Sequence, residues 1–419
     1  MPASRPADLV VTGTALTKST VEARWADGSP RDLRWLLAAS ADGPWTELRG
    51  LSTRETKLLS TYGDHYLVAE TTAADGSRER SDPLFIAPQQ GNADVDWLQE
   101  AKYGISHHLL SDWVNRVATS PDERWRDDED WDSFLDTFDV ASYVDQVKQS
   151  GAGFVLLTLG QNSGYLIGPN AAYDRIAGLV PGERTPSRRD LPREIAIGLA
   201  EIGVKFMLYL PANPPSAAHR VAQDFAITTA FGPVDPEGVP SQTAMARWQE
   251  VIREYSESYG ELAAGWWFDA VFPQMLPAYS DMTREYNWST LTAAAKAGNP
   301  HRVVTYNIGL DWSTPGNPWI DYTSGELNDL GPLPNGRWAD AENGVQWFAL
   351  TYLGQDDPVF AGWGNSGTSK PTAELIRWAS ESVERGGVVC LDTRVNRHGR
   401  FDEKQLDHLE AVRAALRGR

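Results

Sequence analysis

One cysteine, Cys390, in 419 residues excludes an intramolecular disulfide and a cysteine-based zinc cage. Its setting, Val388-Val389-Cys390-Leu391, is apolar and suits a buried, inert thiol. No run of about 18 apolar residues occurs, so a membrane-spanning helix is not expected. The opening residues, Met1-Pro2-Ala3-Ser4-Arg5-Pro6, lack the apolar centre of a secretory signal. A cytoplasmic protein is expected; the alternative is a secreted one whose signal lies outside this sequence. Cations are in deficit: 38 Lys and Arg against 57 Asp and Glu leave a net charge of −19. Such a field repels phosphate backbones and anionic lipid, so neither nucleic acid nor a membrane surface is an expected partner. Neutral ligands carry no such penalty. Tryptophan, in contrast, is plentiful at 17. Indole rings stack on the C–H faces of sugars, but they fill cores equally well, and composition does not separate the two.

The chain reads as two parts, 1–90 and 91–419. The first part has short strand-like runs, such as Thr20-Val21-Glu22-Ala23-Arg24-Trp25 and Tyr66-Leu67-Val68-Ala69-Glu70. Asp27-Gly28, Asp42-Gly43 and Asp75-Gly76 are turn signals between such runs. Turns every 8–12 residues suggest a small β-sandwich of fibronectin or immunoglobulin type. From about residue 97 the rhythm changes. Apolar strand-like runs cover 103–107, 153–159, 204–210, 265–269, 302–307, 322–326, 359–363 and 388–392. Helix-like stretches cover 141–150, 191–202, 244–259, 344–353, 372–385 and 402–416. About eight β–α alternations predict an α/β fold, a (β/α)8 TIM-like barrel. An open doubly wound sheet is the alternative, but no Gly-rich phosphate loop follows the first strand.

Barrel active sites lie at the C-terminal ends of the strands. The polar residues there are His107 and His108, Gln161 and Asn162, Asn213, Asp269, Asn307, Glu326, Trp363 and Asp392. Carboxylates, amides, imidazoles and indoles together suit a neutral polyhydroxylated ligand. No lysine stands at a strand end for a Schiff base, which argues against a barrel lyase or isomerase. The His-x-His pair of barrel metallohydrolases is also missing, and no ligand cluster of convincing spacing calls for a metal or other cofactor. The run 127–130 matches no known calcium loop and reads as a solvated acidic surface. Asp269 ends Gly265-Trp266-Trp267-Phe268-Asp269, and Glu326 follows two strands later. Two carboxylates so placed can hydrolyse a glycoside, with retention if their carboxyl groups sit about 5–5.5 Å apart.

Over roughly 100–419 the sequence resembles glycoside hydrolase family 29, the α-L-fucosidases. The family's first-strand pattern Lys-Phe-Gly-Ile-Phe-x-His-Trp-Gly is echoed by Lys102-Tyr103-Gly104-Ile105-Ser106-His107-His108. Its nucleophile pattern Trp-Phe-Asp-Gly is echoed by Trp267-Phe268-Asp269-Ala270. Its C-terminal end is echoed by Leu375-Ile376-Arg377-Trp378 through Gly386-Gly387-Val388-Val389. The resemblance implies a retaining exo-α-glycosidase with Asp269 as nucleophile and a fucosylated or related glycan as substrate. It sets His108 toward the sugar and His107 toward the outside of the barrel. Gln161, Asn162, Trp267, Asn307 and Trp363 are the further candidate sugar contacts.

Two departures bear on substrate and mechanism. Where the family has Lys-His-His-Asp-Gly-Phe, this chain has Gly160-Gln161-Asn162-Ser163-Gly164-Tyr165, and amides bind hydroxyls without carrying charge. The family's Trp-Glu segment has no glutamate in register in Gln346-Trp347-Phe348-Ala349. Glu326 is therefore the expected acid/base, with Glu342 in reserve. The sugar is fucose or one of related configuration, and a carbohydrate-binding barrel without catalysis is the competing function.

Overall fold

A computed structural model describes residues 9–26, 32–73, 76–215, 225–235, 238–310, 314–358 and 361–417. The N-terminal part holds two antiparallel sheets. One contains β1 (Leu9–Gly13), β2 (Thr20–Trp25) and β5 (Glu55–Lys57); the other contains β3 (Leu33–Ala38), β4 (Thr46–Glu47), β6 (His65–Thr72), β7 (Arg78–Arg80) and β8 (Leu84–Ile86). Alternation drives them together: Val21, Ala23 and Trp25 are buried, as are Trp35, Leu67 and Ala69, while Arg24 between them is exposed. The arrangement is consistent with a β-sandwich. Asp42-Gly43 lies in a turn, with Gly43 N donating to Ser40 O at 3.0 Å. Asp27-Gly28 and Asp75 fall outside the described residues.

The larger part is one parallel eight-stranded sheet, curled into a TIM-like half-barrel. Its strands are β9 (Tyr103–His107), β10 (Phe154–Thr158), β11 (Lys205–Pro211), β12 (Ala263–Asp269), β13 (Val303–Tyr306), β14 (Glu326–Leu327), β17 (Phe348–Tyr352) and β18 (Val388–Asp392), with a separate hairpin of β15 (Trp338–Asp340) and β16 (Val345–Gln346). The spatial order is β13-β12-β11-β10-β9-β18-β17-β14. The first and last strands of the chain's barrel portion thus pair, and the described ladder has one interruption, between β13 and β14. There Asp321 N donates to Val304 O at 2.8 Å, and Val304 N donates to Asp321 Oδ2 at 2.9 Å.

Two expectations are corrected in this region. The seventh strand is Phe348–Tyr352, inside the stretch expected to be helical. The expected strand at 359–363 is not one: 359 and 360 lie outside the described residues, and 361–363 form a turn. The reason is burial on both faces. A central strand of a parallel sheet is apolar throughout and shows no alternation. Among the described residues no α-helix lies between β13 and β14, or between β14 and β17. Pro315, Gly316 and Pro318 in one connection, and Gly331, Pro332, Pro334 and Gly336 in the other, break helices. No helix among the described residues is long and apolar enough to cross a membrane.

The two parts are joined through a buried charge. Lys57, the last residue of β5, spends its three donors on Trp319 O (3.1 Å), Ile320 O (2.9 Å) and Asp321 Oδ1 (2.7 Å). Lys296 reaches Asp321 Oδ2 at 3.0 Å, and Asn92 Nδ2 donates to Asp321 Oδ1 at 3.3 Å. The residue that bridges the gap in the sheet is therefore neutralised partly from outside the barrel. Removing one partner of a buried ion pair strands the other, so Lys57→Met is expected to cost about 3–5 kcal/mol in denaturant unfolding. A loss below about 1 kcal/mol would mean that Lys296 alone compensates Asp321.

Candidate active site

Strand parity builds the site. Successive side chains of a strand face opposite sides. On β9, Gly104 and Ser106 point into the barrel while Tyr103 and Ile105 point out; on β12, Gly265 and Trp267 point in while Trp266 and Phe268 point out. Leu156, Met207, Val303, Leu350 and Cys390 pack together inside. Trp266, Phe268, Val304, Ala349 and Leu391 belong to the outer core under the helices. Carried one step further, the inward parity presents His108, Asp269 and Asp392 at the C-terminal rim. There a pocket of about 570 Å³ is lined by Ser106, His108, Trp113, Leu156, Thr158, Gln161, Tyr209, Trp267, Asp269, Glu326, Leu350 and Trp363.

Asp269 is held by four donors. Tyr209 Oη donates to Oδ2 at 2.5 Å, and Gln161 Nε2 donates to the same oxygen at 3.3 Å. Asn307 Nδ2 donates to Oδ1 at 3.0 Å, and the Ala270 amide does so at 2.7 Å. The same Asn307 nitrogen donates to Glu326 Oε2 at 2.6 Å. One amide group thus stands between the two carboxylates, and the two legs of 3.0 and 2.6 Å cap the distance between those oxygens at 5.6 Å. Burial first, then the charge of Asp269, pushes the Tyr209 hydroxyl well above its ordinary range. It therefore remains a proton donor to the carboxylate. Its ring stacks on Trp267 at 5.2 Å, and Trp267 Nε1 is anchored on Ser324 O at 3.0 Å. Gly325 brings Glu326 to its place: its φ is +57°, and a Cβ would fall 2.0 Å from Phe348 O.

The opposite wall is made by β9 and β18. His108 Nδ1 lies 2.8 Å from Asp392 Oδ1. The ring sits 5.9 Å from that of Trp363 and 6.0 Å from that of Tyr209. Trp113 Nε1 donates to Trp363 O at 3.0 Å, which fixes the turn carrying Trp363.

The pocket therefore unites Asp269, Glu326, His108, Gln161, Trp267 and Trp363 of the expected residues, with Asn307 between the carboxylates. His107 lies on the outside of the barrel, where the resemblance sets it, and the expectations for Asn162 and Glu342 are corrected. His107 faces away: it is fully buried between Tyr143 and Phe401, with Nδ1 2.6 Å from Thr393 O, and burial lowers its pKa to about 4. Asn162 is not among the lining residues. Glu342 is exposed between β15 and β16, its carbonyl accepting from Ser60 Oγ at 2.9 Å, away from the pocket. Asn213 also lies outside the pocket, but it supports the site from below: Nδ2 donates to Ala270 O at 2.7 Å. Trp113, Ser106 and Thr158 line the site without having been singled out. Inward parity on β9 and β10 marks the last two; nothing local marks Trp113.

Ala270 has φ +60°, a conformation that costs an L-residue about 1–2 kcal/mol and a glycine nothing. The fucosidase-like pattern has glycine there. Ala270→Gly is therefore expected to be tolerated, raising stability by up to about 1 kcal/mol with turnover retained. Differential scanning calorimetry and a rate measurement check both parts. A variant clearly less stable than the parent refutes the strain.

No protein-family profile matches this sequence, and no curated protein does. Solved structures do match in fold. The chain is similar to the endo-fucoidan hydrolase MfFcnA4 from glycoside hydrolase family 107, with a TM-score of 0.57 and 14% identity over 77% of this chain and 53% of that one. It is similar to the α-L-fucosidase AlfC from Lactobacillus casei, with a TM-score of 0.51 and 17% identity over 77% and 98% of the two chains. It is also similar to α-L-fucosidase isoenzyme 1 from Paenibacillus thiaminolyticus, with a TM-score of 0.53 and 17% identity over 78% and 75%. The chain spans about half the length of the family 107 enzyme. What these likenesses define is the fold, a TIM-like α/β domain.

Proposed function

We propose that this protein is a retaining exo-α-glycosidase that releases L-fucose, or a sugar of related configuration, from a neutral glycan or glycoside. The observation that carries the reading is the Asn307 amide lodged between Asp269 and Glu326. It brings one oxygen of each carboxylate within 5.6 Å of the other, an approach compatible with the roughly 5–5.5 Å between the carboxyl groups of retaining enzymes. Asp269, oriented by Tyr209, Gln161 and Asn307, attacks the anomeric carbon and forms a glycosyl ester. Glu326 gives its proton to the departing oxygen, then takes one from the water that cleaves the ester. Leu156, Leu350, Trp113, Trp267 and Trp363 form the apolar part of the lining, and exo action is what the resemblance implies. Fucosidases and fucoidan hydrolases among the fold neighbours support the choice of sugar. The net charge of −19 argues against a sulfated polymer.

The test is a panel of aryl glycosides that includes the α-L-fucoside, with the first-formed anomer followed by proton NMR. Release of the α-anomer of fucose is expected. A β-anomer first product sinks the double displacement. Saturable binding of sugars with no hydrolysis on the whole panel points to a carbohydrate-binding barrel.

A further inference from the structure

Asp392 ends β18 and is 1% exposed. Its Oδ1 accepts from His108 Nδ1 (2.8 Å) and from Ser106 Oγ (3.0 Å), and its Oδ2 accepts from the Gly364 amide at 2.6 Å. Each oxygen thus has a partner, as burial of a carboxylate requires. His108 has committed Nδ1 to this contact, so Nε2 is the ring atom left for the pocket. In a neutral ring with a proton on Nδ1, Nε2 only accepts; in a cationic ring it donates. Gly364 makes the close approach possible. Its φ is +63°, and a Cβ there would meet Trp113 Nε1 at 3.0 Å and His108 Cβ at 3.2 Å.

We propose that Asp392 is a positioning residue. It holds His108 cationic and aimed, so that the pocket offers a charged Nε2–H donor to a sugar hydroxyl opposite Asp269 and Glu326. Through Gly364 it also seats the neighbouring Trp363 against the same wall. This rests on the glycosidase reading above. A charge-assisted donor is roughly twice as strong as a neutral one, and it offsets the two carboxylates that the chemistry needs close together.

The groups facing His108 favour this. Burial opposes the charge, but Asp392 on β18, with its hydrogen bond, and Asp269 on β12 and Glu326 on β14 outweigh it, and the His108 pKa is raised. His107 beside it is lowered to about 4 by burial and so carries no charge at neutral pH. Asp112, in the helix that follows β9, has its own pKa raised by burial. Tyr209 on β11 stays protonated. Burial works against the Asp392 anion, yet His108 and the Gly364 amide hold its pKa below the usual range.

The full chain labelled with ¹⁵N in its imidazoles tests this by NMR titration, with His108→Gln assigning the His108 signal. The wild-type midpoint is expected above the ordinary value of about 6.5; one at or below it overturns the proposal without need of a second variant. In Asp392→Asn the midpoint is expected to fall by about one unit or more. On an aryl α-L-fucoside, that variant is expected to lose about tenfold in kcat/KM at pH 7.5, mainly through KM, and clearly less at pH 5, where more of the variant's His108 is protonated. A fallen midpoint with an unchanged pH profile leaves the glycosidase standing and removes the role of Asp392. If no glycoside is hydrolysed, the midpoints still decide the His108 charge, and calorimetric binding of L-fucose at the two pH values replaces kcat/KM.

Discussion

Asp269→Gly is expected to abolish turnover, by about 10⁴-fold or more, with the fold retained. The size follows from the role: without this carboxylate the glycosyl–enzyme ester has no atom on which to form. The expectation of an intact fold follows from the surroundings. Tyr209 remains fixed by its stacking on Trp267 (5.2 Å), and Asn307 remains tied to Glu326 (2.6 Å). The glycine also leaves a space open toward the anomeric carbon, flanked by donors that previously held an anion. Azide entering that space attacks from the face the carboxylate used, so an activated aryl α-L-fucoside is expected to yield the β-fucosyl azide. Asp269→Asn separates charge from shape: it keeps the volume and loses the nucleophile. Residual activity above about a tenth of the parent in either variant ends the assignment. Intact near-ultraviolet circular dichroism is the control that the loss is chemical.

Much of this site was legible in the sequence because strand ends in a barrel are a short list of positions. Asp269 and His108 stand out by residue type and by the fucosidase-like patterns around them. The facing of His107 is legible too. Gly104 and Ser106 are small and Tyr103 and Ile105 are large, a parity that sends His107 outward with the bulky residues. The misplaced seventh strand shows where such reading ends. The residues from Val345 to Leu353 are apolar almost throughout, and a strand buried on both faces carries no period that separates it from a buried helix. Neither could the role of Asn307 as the link between two carboxylates be read locally. It depends on β12, β13 and β14 lying at particular heights, and on Gly325 turning the chain so that Glu326 faces inward. Lys57 is further still from sequence reading. A lysine in a short N-terminal strand looks like a solvated charge until Asp321, 264 positions later, is found beside it.

Glu326→Ala is expected to divide substrates by leaving group. Activated aryl glycosides, whose phenolate departs with little protonation, should form the glycosyl ester at nearly the parent rate and then stall. Poor leaving groups, and natural glycosides above all, should slow by about 10²–10⁴-fold, the range general acid catalysis supplies. The pH–rate profile should lose its alkaline limb, because the limb reports loss of the proton that Glu326 donates. Azide should rescue the second step and give the α-fucosyl azide, of retained configuration, since Asp269 still performs the first displacement. The stereochemistry of the two azide products is therefore opposite in the Asp269 and Glu326 variants, and that opposition identifies the roles more firmly than either rate loss. Asn307 adds an internal check. Its nitrogen donates to both carboxylates, so Asn307→Ala should impair both steps and show neither pattern of rescue. If Glu326→Ala slows all substrates alike and azide restores nothing, Glu326 is a sugar contact. The proton donor must then be sought among other residues at the rim of this pocket, and not at Glu342, which faces solvent on the hairpin of β15 and β16.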